Sequence, residues 1–277
     1  MHRRKTLVCR VLAMAMSLAW VAAAAQTTEA LLDQAIAGEH RASASKARDK
    51  YRHPRETLLF FGLKPDMTVV EIWPAGGWYS HILAPLLRDK GKLYLAHVAI
   101  ENPKLQDWQR ESREKLAAAF ASKPEIFGTP VFTSLGPPEY VAIAPPASAD
   151  MVLTFRNVHN WSLAKTDAVV FKAFFEALKP GGILGLVEHR ANPGTQFEQQ
   201  VKSGYMTEAY VIELAQKAGF RLLEKSEVNA NPKDSKDHPH GVWTLPPLRR
   251  GFFLNAQKYL EIGESDRMTL KFEKPKS

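Results

Sequence analysis

The chain has 277 residues, 45% of them hydrophobic, and carries 37 Lys and Arg against 29 Asp and Glu, a formal charge of +8. The charges are interspersed, with no block of Lys and Arg, which excludes a nucleic-acid-binding stripe. The single cysteine, Cys9, excludes a disulfide framework and a zinc–thiolate site.

Residues 1–25 read as a secretory signal, with a basic start (MHRRK), an apolar run (VLAMAMSLAWVAAAA) and a small-residue cleavage site after Ala25. The apolar run is short for a membrane span, and no later stretch approaches about 18 uncharged apolar residues. Cys9 precedes that run, which argues against a lipoprotein anchor. The expectation is export to the periplasm of a Gram-negative bacterium as a soluble chain without a membrane span. Loss of Arg3, Arg4, Lys5 and Arg10 with the signal leaves a formal charge of +4. Arg3–Arg4 loosely resembles a twin-arginine signal, although Thr6 stands where an aromatic residue is usual.

Residues 26–62 predict an amphipathic and then charged helical extension. The remainder, 63–277, predicts a core domain in which strands and helices alternate. Strands are expected at 67–73, 91–98, 129–135, 150–155, 183–189 and 221–228, with helices at 77–89, 102–122, 166–178 and 206–220. GPPEYVAIAPPASA is a proline-rich loop, and KPGG stops the helix before the fifth strand. An irregular insertion around 229–266 leads to an alternating segment, 268–275, that reads as a last, edge-like strand. The alternation implies an α/β fold, a Rossmann-like doubly wound sheet of about seven strands. No helix clearly closes a final crossover, so the last strand is expected to be antiparallel.

Four stretches stand out: VVEIWPAGG at the first strand, ADMVLTF at the fourth, LKPGGILGLVEH through the fifth and AGFRLLE into the sixth. In this order they resemble the class I S-adenosylmethionine-dependent methyltransferases over roughly residues 60–275. YRHPRETLLFFGLKP, WPAGGWYS, RNVHNW and DHPHGVWTLPP are similar, more narrowly, to a group of exported bacterial predicted methyltransferases. The resemblance implies S-adenosylmethionine as cofactor, seated on the turn after the first strand. There Glu71 matches the acidic position and Gly77 the last glycine. Trp73 and Ala75 replace the other glycines, Pro74 stiffens the turn, and Gly76 adds freedom. The indole of Trp73 either stacks on an adenine or fills the pocket; the alternative is a structural turn with a packed tryptophan. G-x-G-x-x-G and the phosphate-loop pattern are both absent, so a ligand without a pyrophosphate fits better than NAD or ATP. Where the family commonly has an acid for the ribose hydroxyls stands His97, with Glu101 following.

Ligands of such sheets bind where strand order reverses, between strands one and four. That places Arg156, Asn157, His159, Asn160 and Trp161 beside the turn. His159 is the candidate general base, Asn157 the orienting group, Trp161 a stacking or cation–π surface, and His189 a second base. Otherwise Asn157 and His159 cap the next helix, and His189 belongs to a structural cluster. Arg52 and His53 are expected to pack the N-terminal helix over the cofactor mouth. Asp234, Asp237, His238 and His240 offer divalent-metal ligands at short spacing, although such loops are usually only loops, and no metal is expected. SASK and SLAK both match S-x-x-K but lack the partner motifs of acyl-transfer enzymes. Two functions follow: a methyltransferase for a small molecule or envelope component, or a non-catalytic periplasmic ligand-binding protein on the same fold. The substrate is expected to be a small molecule, not nucleic acid.

Overall fold

A computed structural model describes residues 26–251 and 255–276; the proposed signal segment lies outside the described residues. Four helices come first: α1 (Thr28–Ala37), α2 (Ser43–Lys46), α3 (Asp49–Arg52) and α4 (Pro54–Phe61). Thr27 caps α1 by accepting from Ala30 N–H, Pro54 opens α4, and Gly62 at φ 83° ends it. The alternating part runs β1 (Thr68–Ile72), α5 (Ser80–Leu87), β2 (Lys92–Val98), α6 (Asp107–Ala121), α7 (Pro124–Phe127), β3 (Val131–Leu135) and β4 (Ala149–Phe155). It continues with α8 (Val158–Leu163), α9 (Asp167–Ala177), β5 (Leu178–His189), α10 (Phe197–Ser203), α11 (Glu208–Lys217) and β6 (Arg221–Ser226). A 3-10 turn (Gly241–Thr244), α12 (Ala256–Ile262) and β7 (Arg267–Glu273) complete it.

The sheet has seven strands in the order β3-β2-β1-β4-β5-β7-β6. β1 to β5 are parallel, with Val70 beside both Tyr94 and Val152. β7 runs antiparallel to both of its neighbours. The central strands are apolar on both faces because helices cover both. Val70, Ile72, Val152 and Leu186 point to a core completed by Trp161, Phe171, Phe174 and Val211. Val69, Leu153 and Val187 point to the opposite core, which α5 and α6 fill with Ile82, Leu83, Leu116 and Phe120.

Two sequence expectations change. The last strand is antiparallel as expected, but it is interior rather than edge-like. Met268, Leu270 and Phe272 are fully buried between β5 and β6. The edge is β6, whose exposed Arg221, Glu224 and Lys225 discourage pairing with another chain. In addition, KPGG does not lie between helix and strand, because β5 already starts at Leu178. The short helices α8 and α10 have no counterpart in the sequence reading.

The first four helices share the core of the sheet. Leu32, Leu58 and Phe61 are fully buried with the β1 and β4 side chains. Phe61 packs against β5 at Gly185, where an added Cβ would come within 2.7 Å of its ring and 2.8 Å of Leu153. Gly185→Ala is therefore expected to cost about 1–3 kcal/mol by overpacking. Urea unfolding checks this, and an unchanged midpoint would show that the strand can shift away from Phe61 freely.

Candidate active site

The site is built on the turn that leaves β1. Trp73 (φ 44°), Ala75 (φ 50°) and Gly77 (φ 78°) alternate in the left-handed region. Only glycine adopts that region without steric cost. The backbone path that three glycines would take is thus kept with glycine at one position. Bonds from all sides hold it there. Trp73 N–H donates to Ala96 C=O at 2.9 Å, and Gly77 N–H to Pro74 C=O at 2.8 Å. The Trp73 indole N–H donates to Leu135 C=O at the end of β3 (2.8 Å). At Gly77 a Cβ would come within 2.4 Å of Leu116 Cδ1 and 3.1 Å of His81 Nδ1, so a side chain there needs Leu116 to shift and still sits in the left-handed region.

Asn157, at the end of β4, donates from Nδ2 to Ile72 C=O (3.1 Å) and to Thr154 Oγ1 (3.3 Å). The ends of β1 and β4 therefore adjoin across the point where strand order reverses. Between them and α6 lies a cavity of about 460 Å³, lined by Trp73, Ala75, His97, Gln109, Asn157 and Asn160. Its size falls within the ordinary range for small-molecule sites. A side cavity of about 190 Å³ continues past Trp73 toward Leu135 and Trp161. The indole of Trp73 stands between the two without closing the first.

His97 does not have the freedom that a ribose ligand requires. Its Nδ1 accepts from Val98 N–H at 2.8 Å, which fixes the proton on Nε2, and Nε2 lies 3.1 Å from Ala75 C=O. Both ring nitrogens are spent on backbone, so the imidazole clamps the turn. Burial lowers its pKa to about 4, and it is neutral at physiological pH. Glu101 is exposed and accepts from Ser134 Oγ at 3.0 Å.

Trp161 does not line the larger cavity. It is fully buried beneath Trp73, with ring centroids 5.4 Å apart, and its indole N–H has no partner. Trp73 is the aromatic that faces the cavity.

His159 and His189 are brought together, 5.5 Å between centroids, but neither lines the cavity. They meet at Glu188, a fully buried residue that the sequence reading did not single out. One carboxylate oxygen accepts from Val158 N–H (2.6 Å); the other lies 3.1 Å from His159 Nδ1 and accepts from His189 N–H (2.7 Å). Neither Asn157 nor His159 caps α8 with its side chain; Glu188 does. His189 Nδ1 faces Ser265 Oγ at 2.5 Å, and burial followed by the nearby His159 drops its pKa well below the usual value. Among the described residues this is the one cluster with metal-binding proximity. Its carboxylate is already engaged by three partners, so the trio reads as a brace. The visible clue was an acid ending the otherwise apolar β5.

The 234–240 group does not converge on one point. Asp234 receives Tyr205 Oη (3.0 Å), Asp266 N–H (2.8 Å) and Lys236 N–H (3.0 Å), and lies 2.8 Å from His238 Nε2. Asp237 bonds Ser235 instead, and His240 N–H donates to Thr244. Arg52 does join the N-terminal helices to the site, stacking over Trp78 at 4.5 Å, whereas His53 turns the chain into α4 at φ 38°. The cavity-lining Gln109, Trp108 and Ser112 on α6 were not foreseen, because nothing in an amphipathic helix marks them.

No protein-family model matches the chain, and no curated protein matches it either. Solved structures do match. A SAM-dependent methyltransferase from Aquifex aeolicus is 18% identical with a TM-score of 0.51, covering 82% of this chain and 93% of that one. A protein described as a sarcosine dimethylglycine methyltransferase from Galdieria sulphuraria is 13% identical with a TM-score of 0.54, covering 83% and 87%. The cyclase SpnF is 17% identical with a TM-score of 0.55, covering 91% and 97%. At such identities the likeness is one of fold, the seven-strand fold of class I S-adenosylmethionine-dependent methyltransferases. One neighbour is named for a cyclisation, so the fold does not by itself fix a reaction.

Glu71 gives the turn a pH dependence. It is buried beneath the turn, accepts from Ser80 Oγ at 2.6 Å, and burial pushes its pKa from the ordinary 4.5 up to about 8. Between those values the folded chain holds a proton that the unfolded chain releases, so stability falls as pH rises from about 4.5 to about 8. Glu71→Gln cannot titrate. Its stability relative to the wild type is expected to climb steadily from pH 5 to pH 8, read from urea midpoints. A constant difference would rule out a protonated Glu71.

Proposed function

We propose that the protein is an S-adenosylmethionine-dependent methyltransferase acting on a small molecule or envelope component, exported to the periplasm by the signal at residues 1–25. The observation that carries this reading is the left-handed sequence 73, 75, 77. Two of those positions pay a steric cost for a path that serves a ligand-binding turn. The buried acid at Glu71 and the cavity between the ends of β1 and β4 support it. Trp73, Ala75, Asn157 and Asn160 would hold the nucleoside part, with Trp73 as its stacking surface. Hydrogen bonding to the ribose would fall to Gln109, Ser112 or Asn160, since His97 has no free nitrogen.

When bound, the sulfonium supplies an activated methyl group and a good leaving group. The protein's own task is then to orient the acceptor in line and exclude water. His97 is the one titratable residue lining the cavity; burial holds it neutral and both its ring nitrogens are committed to backbone. The chemistry that suits such a lining is transfer to a nucleophile that arrives already deprotonated. The low pKa of His189, and the contact of His159 with the buried Glu188, fit a bracing role better than proton abstraction.

Calorimetry of residues 26–277 with S-adenosylmethionine and with its demethylated product tests the reading. One-to-one binding is expected, with a dissociation constant on the order of 1–100 μM, the lower part of the usual substrate range. Absence of heat with both compounds would remove the methyltransferase assignment.

A further inference from the structure

A second cavity, of about 440 Å³, lies on the other side of the same turn, between it and the N-terminal helices. Ala75 lines both cavities. This one is strongly cationic: Arg41, Arg48, Arg52 and Arg156 all line it, and no carboxylate does. Arg41 is balanced by a two-pronged pair with Asp49 at 2.7 and 2.8 Å. The others are not balanced. Arg48 (2.5 Å), Arg52 (3.2 Å) and Arg267 all converge on Glu264, with Arg52 4% and Glu264 2% exposed. The side chain of Arg156, which is half-buried, joins the same field with no hydrogen bond or ion pair to a described residue. Glu71, the other acid near Arg156, holds its proton near neutrality and adds no charge. Four guanidinium groups thus lie around one carboxylate, with Arg52 and Arg267 buried and Arg48 and Arg156 half-buried. The buried Nε of Arg267 also lacks an acceptor.

Packed like charges and unpaired buried cations are costly unless something compensates them. Among the described residues no carboxylate faces this cavity, and the space beside Arg52 and Arg156 is open. Planar guanidinium forks match an oxyanion in shape as well as charge. We propose that this cavity is a binding site for an anionic ligand distinct from the cofactor, one presenting a phosphate or carboxylate group to Arg52 and Arg156. The site stands without the function proposed above. If that function holds, the anion belongs to the methyl acceptor, whose reacting atom would lie across Ala75 from the nucleoside cavity.

The test uses residues 26–277 and inorganic phosphate as the probe, by calorimetry and thermal unfolding against sodium chloride at matched ionic strength. Wild type is expected to bind one phosphate and to melt higher in its presence. Arg156→Gln should weaken phosphate binding at least about tenfold, the loss of a charge-assisted pair. In chloride the same variant should melt higher than wild type, because repulsion from Arg267 and its neighbours is relieved. A merely structural arginine would give the opposite sign. Arg156→Lys should retain part of the binding, and Arg55→Gln, an exposed residue paired with Glu29 and Asp33, should retain all of it. Equal phosphate binding in wild type and Arg156→Gln would overturn the proposal. So would loss of phosphate binding when the demethylated cofactor saturates the protein, since the cavity would then seat the cofactor's own carboxylate. Phosphate binding without cofactor binding keeps this site and removes the methyltransferase reading; cofactor binding without phosphate binding does the reverse.

Discussion

The constraint on which the site depends is the left-handed backbone at Trp73 and Ala75. Such conformations cost of order 1–3 kcal/mol each for non-glycine residues, and they persist only where neighbours over-determine them. Here every neighbouring strand contributes. β2 accepts from Trp73 N–H through Ala96 and reaches back through His97, β3 accepts the indole N–H through Leu135, and β4 ties down Ile72 through Asn157. Side-chain bonds thus take over the work that glycine does by lacking a Cβ. The tryptophan that makes the turn costly is also the residue that anchors it.

A second network ties the chain's two polar additions together. Glu264, in the long segment after β6, receives Arg48 and Arg52 from the N-terminal helices. Asn229, near the start of that segment, donates to both Thr57 on α4 and Thr269 on β7. Arg190 gathers Glu208, Glu227 and Asp266 a short way off, and the strength of that pairing raises its pKa far above the usual value. These polar ties fix helices that pack on the sheet through Leu32, Leu58 and Phe61. They also form one wall of the cationic cavity.

Much of this was legible in the sequence. Apolar runs locate the five parallel strands within a few residues, because strands covered on both faces are nearly continuous in Val, Ile and Leu. The turn after β1 and the polar segment after β4 were placed together from topology alone, and Ile72 and Asn157 do meet. The partners of individual polar side chains were not legible. His97 looked available because a sequence shows a residue type, not which of its nitrogens are already spent. Trp161 looked like a ligand surface, yet the neighbouring Trp73 covers it. Glu188 carries the histidine brace but was read past as the end of a strand. The 229–266 segment was legible only as irregular, since its order comes from distant partners: Thr57, Arg52 and Tyr205.

The position of β7 also governs when the sheet can form. β6 touches no strand except β7, and β7, from residues 267–273, enters between β5 and β6. A nascent chain that has emerged only as far as α12 therefore has five strands ready to zip up and a sixth with nothing to join. Glu264 lacks one of its three arginine partners at that stage too, because Arg267 is the first residue of β7. The seven-strand sheet thus cannot close until the final segment is available, whatever the order in which the other strands pair.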